Sequence, residues 1–293
     1  MPRTADAKPF TKPLWYWVLL VVLVAVIALT AVPAFTVTGG HKLQQPGAED
    51  FFPGAIFGEG TLLEFNRLTL VRVVMGVALC LTVGVVASRI KIVPGRGQAL
   101  LEIVADFVRS NVAFTLLGNK NGRRFAPLLG TLFLGVLAMN LAGVIPGLNI
   151  AASSVVAVPM VFAALTYITF IGAGIREQGV GHFFASQLLP PGLPKVMYLL
   201  ITPIEFLSNF IVRPVTLTLR LLCNMVSGHM LLAMTFFGTT SLLLHLQASS
   251  AASFLTGAAM IAVTLFEVFV AVLQAYIFTI LSAVYIKLSI EAH

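Results

Sequence analysis

The sequence has 293 residues, 58% hydrophobic and only 10% charged, with a mean hydropathy of +0.99 and a net charge of +7. A soluble domain carries about 25% charged residues, so this balance excludes an ordinary soluble enzyme or binding domain and implies an all-α integral membrane protein. The basic residues sit beside the ends of apolar runs, where topology accounts for them without a nucleic-acid partner.

Residues 1–13 are polar and basic (Arg3, Lys8, Lys12). The run "LWYWVLLVVLVAVIALTAVPAF" (14–35) is long enough to span, with Trp15, Tyr16 and Trp17 as an interfacial belt. Its apolar stretch of about 18 residues exceeds the ~7–15 of a signal-peptide core, which favours a retained anchor over a cleaved leader. A loop over 37–65 carries Glu49, Asp50, Glu59 and Glu64, and a second span covers 67–88. After the turn-rich "SRIKIVPGRGQ", the segment 98–117 places Leu101, Val104, Ala105 and Val108 on one helical face and Glu102, Asp106 and Arg109 on another. That pattern predicts an amphipathic helix at the membrane interface, ended by "GNKNGRR". Spans three and four are predicted over 125–145 and 154–175, followed by the loop "REQGVGHFFASQLLPPGLPK".

Two very long apolar segments remain, 197–237 and 252–288, joined by "GTTSLLLHLQASS". At 1.5 Å per residue each is roughly 55–60 Å long, against a hydrocarbon core of about 30 Å, so both must tilt, bend or protrude. Pro203 and Pro214 are the natural bend points of the first. The predicted organisation is an amino-terminal segment with its anchor (1–36), an extracytoplasmic loop (37–66) and a helical membrane core (67–293), about six spans in all. With the amino terminus cytoplasmic, Arg89, Lys91, Arg96, Lys120, Arg123, Arg124, Arg176 and Lys195 join the first three basic residues inside, and the outside loops hold only Lys42, with Arg67 and Arg72 snorkelling from the outer end of the second span. Both termini are therefore expected on the cytoplasmic side. Cys80 and Cys223 lie in apolar runs and read as buried free thiols. The sequence holds no CxxC, HExxH or phosphate-cradling glycine loop, and no cofactor or metal is expected.

Within "RPVTLTLRLLCNMVSGHMLL" the decisive residue is Arg220, because arginine cannot shed its charge. The polar boundaries lie too far away along the helix for it to snorkel, so it sits near midplane, where ionised groups mark ion paths or counter-ion sites. Asn224 is one turn further along the same face. His229 lies about half a turn round and ~13.5 Å along; alone, it reads equally as a bonded core residue or a proton carrier. On the last segment Glu267 and Gln274 share a face about 10.5 Å apart. If the two long helices are antiparallel, Arg220 falls level with Gln274 and His229 level with Glu267. Two polar rungs in one register favour proton transfer, since histidine and glutamate are proton carriers that burial and charge tune. Arg213 reads as an interfacial anchor or ion-pair partner and not as a conductor. Glu205 reads as either a helix-end acid or an inner proton site, and Asn140 as a helix-capping or inter-helix amide.

The block "RPVTLTLRLLCNMVSGH", with Glu267 and Gln274 downstream, closely resembles subunit a of the F-type ATP synthase. "VPGRGQALLEI", "MNLAGVIP" and "PIEFLSNFIVRP" extend the likeness over about residues 50–290, and "FFPGAIFGEG" is bacterial in style. The resemblance implies two long tilted helices against a rotating c-ring of carboxylate-bearing hairpins, with two aqueous half-channels meeting the ring on either side of an essential arginine. That role maps to Arg220. The outer half-channel pair maps to His229 and Glu267, the polar neighbours of the arginine to Asn224 and Gln274, and the cytoplasmic half-channel acid to Glu205. Some members carry an aspartate where Gly143 stands. The span 14–35 is additional to the family core. The implied partners are the c-ring, the subunit b peripheral stalk, the remaining ATP synthase subunits and membrane lipid, in a bacterial plasma membrane, with no catalytic site in this chain. The competing reading from the residues is a proton-coupled transporter binding an anionic substrate through Arg220. It would show internal repeats, and none is evident.

Overall fold

The computed structural model describes residues 55–57, 65–91, 94–144, 156–189, 195–244 and 250–291. The apolar run 14–35 lies outside the described residues. A short antiparallel pairing of β1 (Ala55–Phe57) with β2 (Phe65–Asn66) leads into the membrane core. Every further element among the described residues is helical: α1 (Arg67–Ser88), α2 (Arg96–Phe107) continued by a π-helical segment (Val108–Phe114), α3 (Thr115–Leu141), α4 (Ala157–Gln178), α5 (Val180–Leu188), α6 (Lys195–Phe206) continued by a π-helical segment (Leu207–Val212), α7 (Arg213–Leu244) and α8 (Ser250–Ile290). Among the described residues five helical stretches are long and apolar enough to cross a membrane: Thr69–Ser88, Gly97–Leu141, Ala157–Gln178, Met197–Thr235 and Ala258–Ile290. The chain is a multi-pass, all-α membrane protein.

Helix α1 matches its predicted range and stands at the edge, since Val71 alone among its described residues is buried, beside Ala142, Met75 and Met139. The amphipathic segment is helical as expected, and its apolar stripe is turned onto protein. Val108, Val112 and Leu117 are buried against Leu129, Phe133 and Val136 of α3, and the Phe107 ring meets Phe133 and Tyr276. Ala105, predicted on the apolar face, is exposed. The reversal is made by one residue, Gly118, whose φ of +71° is disfavoured for residues with a β-carbon. Close packing follows: a β-carbon at Gly122 would lie 2.9 Å from the Ala113 carbonyl oxygen. The stretch "GNKNGRR" is thus not a loop, because all of it after Gly118 already belongs to α3. The loop predicted after α4 likewise contains α5, entered through Gly179 at φ +81° and anchored by buried Phe183 and Gln187.

The two long helices carry the rest of the core. Residues 195–244 form one continuous helical run, and α8 is 41 residues long. The π-helical turns at Leu207–Val212 sit just before Pro214. Proline offers no N–H to the carbonyl of Phe210 and its ring crowds that carbonyl, and a wider turn relieves the crowding without ending the helix. Helix α8 packs on α3, α4 and α7, burying Ala275, Phe278, Ala283 and Ile286. Two of its hydroxyls are satisfied across the α4 interface: the Thr166 and Ser282 hydroxyls lie 3.1 Å apart, and Ser289 Oγ donates to the Phe170 carbonyl. Gly174 makes that approach possible, since a β-carbon there would collide with Ser289 Oγ and the Phe183 ring. Cys80 and Cys223, expected as buried thiols, are both exposed on outward helix faces, which suits a small apolar side chain facing lipid.

Candidate functional site

Helices α7 and α8 run antiparallel, and their register is marked by two contacts. Asn224 Nδ2 donates to Gln274 Oε1 at 2.8 Å, and a β-carbon on Gly228 would lie 2.5 Å from Glu267 Oε1. With no side chain at Gly228, the α7 backbone leaves room for the tip of the Glu267 carboxylate. Gln274 therefore serves Asn224, one turn along from Arg220, instead of facing Arg220 itself.

His229 and Glu267 are brought together as the register predicts. Both line a cavity of about 200 Å³ shared with Asn140, Asn224 and Ser227, its remaining walls being apolar. His229 is only 7% exposed. Glu267 Oε2 is buried with no hydrogen-bond partner among the described residues, as is Gln274 Nε2. A buried unpartnered polar atom costs about 1–3 kcal/mol, and the cavity has room for several waters that could serve Oε2. A carboxylic acid, an imidazole and space for water, within one apolar wall, form a set able to accept, hold and pass a proton.

Arg220 stands apart from this cavity, exposed, with no hydrogen bond or ion pair to a described residue. The exposed surface of α7 and α8 is mostly apolar, with Leu219 and Leu231 from α7 and Leu265, Phe269 and Leu273 from α8, beside the hydroxyls of Thr216 and Ser227. One permanent cation on an apolar surface cannot be satisfied by lipid tails. No described residue supplies its counter-charge.

Glu205 is not brought to the same place. It is half-buried on α6, about 22 Å from Arg220 along the helix, and its Oε2 accepts from Asn209 Nδ2 at 3.1 Å. Asn209 also donates to the Gln187 carbonyl at 2.9 Å, tying the acid to α5. Arg213 has its guanidinium over the Tyr285 ring at 5.4 Å. Three cavity residues escaped the sequence reading as site residues: Asn140, Ser227 and Gly228. Asn140 had a signal, as an amide within an apolar span; Gly228 had none beyond its place beside His229.

A model of the ATP synthase A chain matches residues 69–287. The chain belongs to the ATP synthase A chain family. Among curated relatives, the ATP synthase subunit a of Rhodococcus erythropolis is 38% identical over 259 residues, covering 88% of this chain and 94% of the relative. That of Parafrankia is 41% identical over 203 residues (69% and 68%), and that of Streptomyces lividans 33% over 261 residues (87% and 90%). The family match to the A chain spans all the candidate residues from Glu205 to Gln274.

Proposed function

We infer that this chain is the proton-channel stator subunit of the membrane sector of an F-type ATP synthase, with no nucleotide chemistry of its own. The reading rests on the family match together with one observation: an exposed Arg220, unpaired among the described residues, one turn from the cavity holding His229 and Glu267. Exposed apolar surface of this extent suits a membrane partner, and the c-ring of carboxylate-bearing hairpins is the partner that would supply the missing anion. The subunit b stalk and the remaining ATP synthase subunits would complete the complex.

The chemistry follows from charge. A ring carboxylate facing lipid stays protonated, because an ion there costs at least several kcal/mol. Opposite Arg220 the ionised form gains a counter-charge, and the proton leaves by one half-channel. Before returning to lipid the site must be reprotonated from the other. In this reading Glu267 and His229, with water in their cavity, relay protons from the outer face. Asn224 and Gln274 hold α7 and α8 in the register that keeps both rungs level. Glu205 and Asn209 would serve the cytoplasmic end. The charge on Arg220 also repels protons that would otherwise leak between the half-channels. Each elementary charge crossing delivers about 2.3 kcal/mol per 100 mV. The distribution of basic residues supports a bacterial plasma membrane orientation with both termini cytoplasmic.

ATP-driven proton pumping in inverted membrane vesicles tests the central role. Arg220→Ala is expected to abolish pumping while leaving the complex assembled, and normal pumping would overturn the reading. For the outer half-channel, Glu267→Gln is expected to depress proton-driven ATP synthesis strongly. Unchanged flux over a broad pH range would count against that assignment.

A further inference from the structure

A second charged feature lies away from the proton-transfer residues. Between α2 with its π-helical extension and α3 runs an open groove of about 520 Å³, to which Arg109 and Arg123 contribute the charge. Along α3 its wall is built from Ala126, Gly130 and Leu134. These residues are spaced four apart and form one straight stripe. A β-carbon at Gly130 would meet nothing within 4 Å, so the stripe is open.

Both arginines are exposed, and neither forms an ion pair among the described residues. Their neighbour Arg124 differs, being bound to Glu177 at 2.9 Å. The closest acid in sequence to Arg109 is Asp106, which is exposed and makes no such pair. The Arg109 guanidinium lies over the Phe114 ring at 5.1 Å. That ring in turn packs where a β-carbon on Gly122 would stand, 2.6 Å from Phe114 Cδ1. The charge of Arg109 is thereby carried toward the Gly118 turn, beside the residue that precedes Arg123. Two permanent cations thus share one end of an apolar groove.

The dimensions are those of one lipid leaflet. From Arg123 to Leu134 the helix rises about 16 Å, and half of a ~30 Å hydrocarbon core is about 15 Å. We propose that this groove is a binding site for an anionic phospholipid. The phosphate is held between Arg109 and Arg123, whose planar guanidinium groups suit phosphate oxygens, and an acyl chain lies along Ala126, Gly130 and Leu134. A partner helix covering the same groove would have to leave two arginines unpaired or bring its own acids to them. A phospholipid brings the charge and the chain together.

The test uses the complete ATP synthase complex in nanodiscs of phosphatidylcholine containing phosphatidylglycerol, with bound phosphatidylglycerol counted by native mass spectrometry. The paired substitution Arg109→Gln with Arg123→Gln is expected to lose about one bound phosphatidylglycerol and to weaken its binding roughly 30-fold, taking each arginine at its usual worth beside an anionic lipid. Equal retention by the variant overturns the proposal. A photo-reactive benzophenone amino acid at Gly130, in a complex that keeps both arginines, gives a readout that does not depend on the paired variant assembling. Adducts to phospholipid are expected, and adducts to a polypeptide would show that a protein helix fills the groove and overturn it.

Discussion

Replacing Gly228 with alanine places a β-carbon 2.5 Å from Glu267 Oε1, yet 3.4 Å from its Cδ and 3.6 Å from its Cγ. Only the tip of the carboxylate is crowded, so the acid relieves the contact by swinging about 0.9 Å, from 2.5 to an ordinary 3.4 Å. The helix itself is helped, because glycine in a helix interior is about 1 kcal/mol less favourable than alanine. Assembly and heat stability of the complex should therefore be unchanged or slightly raised while the proton-carrying oxygen is displaced. A misplacement of this size can cost up to about 10²-fold in a geometrically exacting step, and a displaced but intact acid should slow pumping by roughly tenfold. Gly228→Leu goes further, since its side chain would occupy part of the 200 Å³ cavity and obstruct access to Glu267. Complexes reconstituted into liposomes, with pumping followed by a pH-sensitive fluorophore and stability by thermal melting, separate the two effects. Full-rate pumping by an assembled Gly228→Leu complex would refute the idea that this cavity delivers protons to Glu267.

Two further variants probe the packing that holds the site. Asn224→Leu removes the donor to Gln274, which is 2% exposed and already has an unpartnered Nε2. The expected destabilisation is about 1–3 kcal/mol, seen as a lower melting temperature. Adding Gln274→Leu should recover most of it, because removing both partners is far less costly than stranding one. Gly174→Ala drives a β-carbon into Ser289 Oγ and the Phe183 ring and should cost about 1–3 kcal/mol through overpacking. The check is the amount of subunit retained in membranes, and Phe183→Leu in the same chain should restore part of it.

The spans were legible because each is a long apolar run, and α1 and α4 match their predicted ranges closely. The polar rungs were legible for a related reason: Arg220, His229, Glu267 and Gln274 interrupt those runs at helical spacing. The interfacial placement of the amphipathic segment was less secure. Period alone shows that a helix has an apolar face, and Val108 and Val112 could have met lipid as well as α3. Helix α5 was hidden because its nine residues, VGHFFASQL, carry too short a period to separate helix from loop.

The sequence by itself determined that this chain lives in a membrane, how many described segments cross it, and which few polar residues lie within those segments. Each of these is a property of residue type and linear spacing, set by the free energy of placing a group in hydrocarbon. Only the tertiary structure decided which partner each polar residue has. Gln274 bonds Asn224 and not Arg220, Gly228 opens the wall of α7 to Glu267, Asn140 arrives at their cavity from α3, and Arg220 is left facing outward. Those outcomes depend on the rotation and offset of one helix against another, which close packing sets to within a turn and which no one-dimensional period contains.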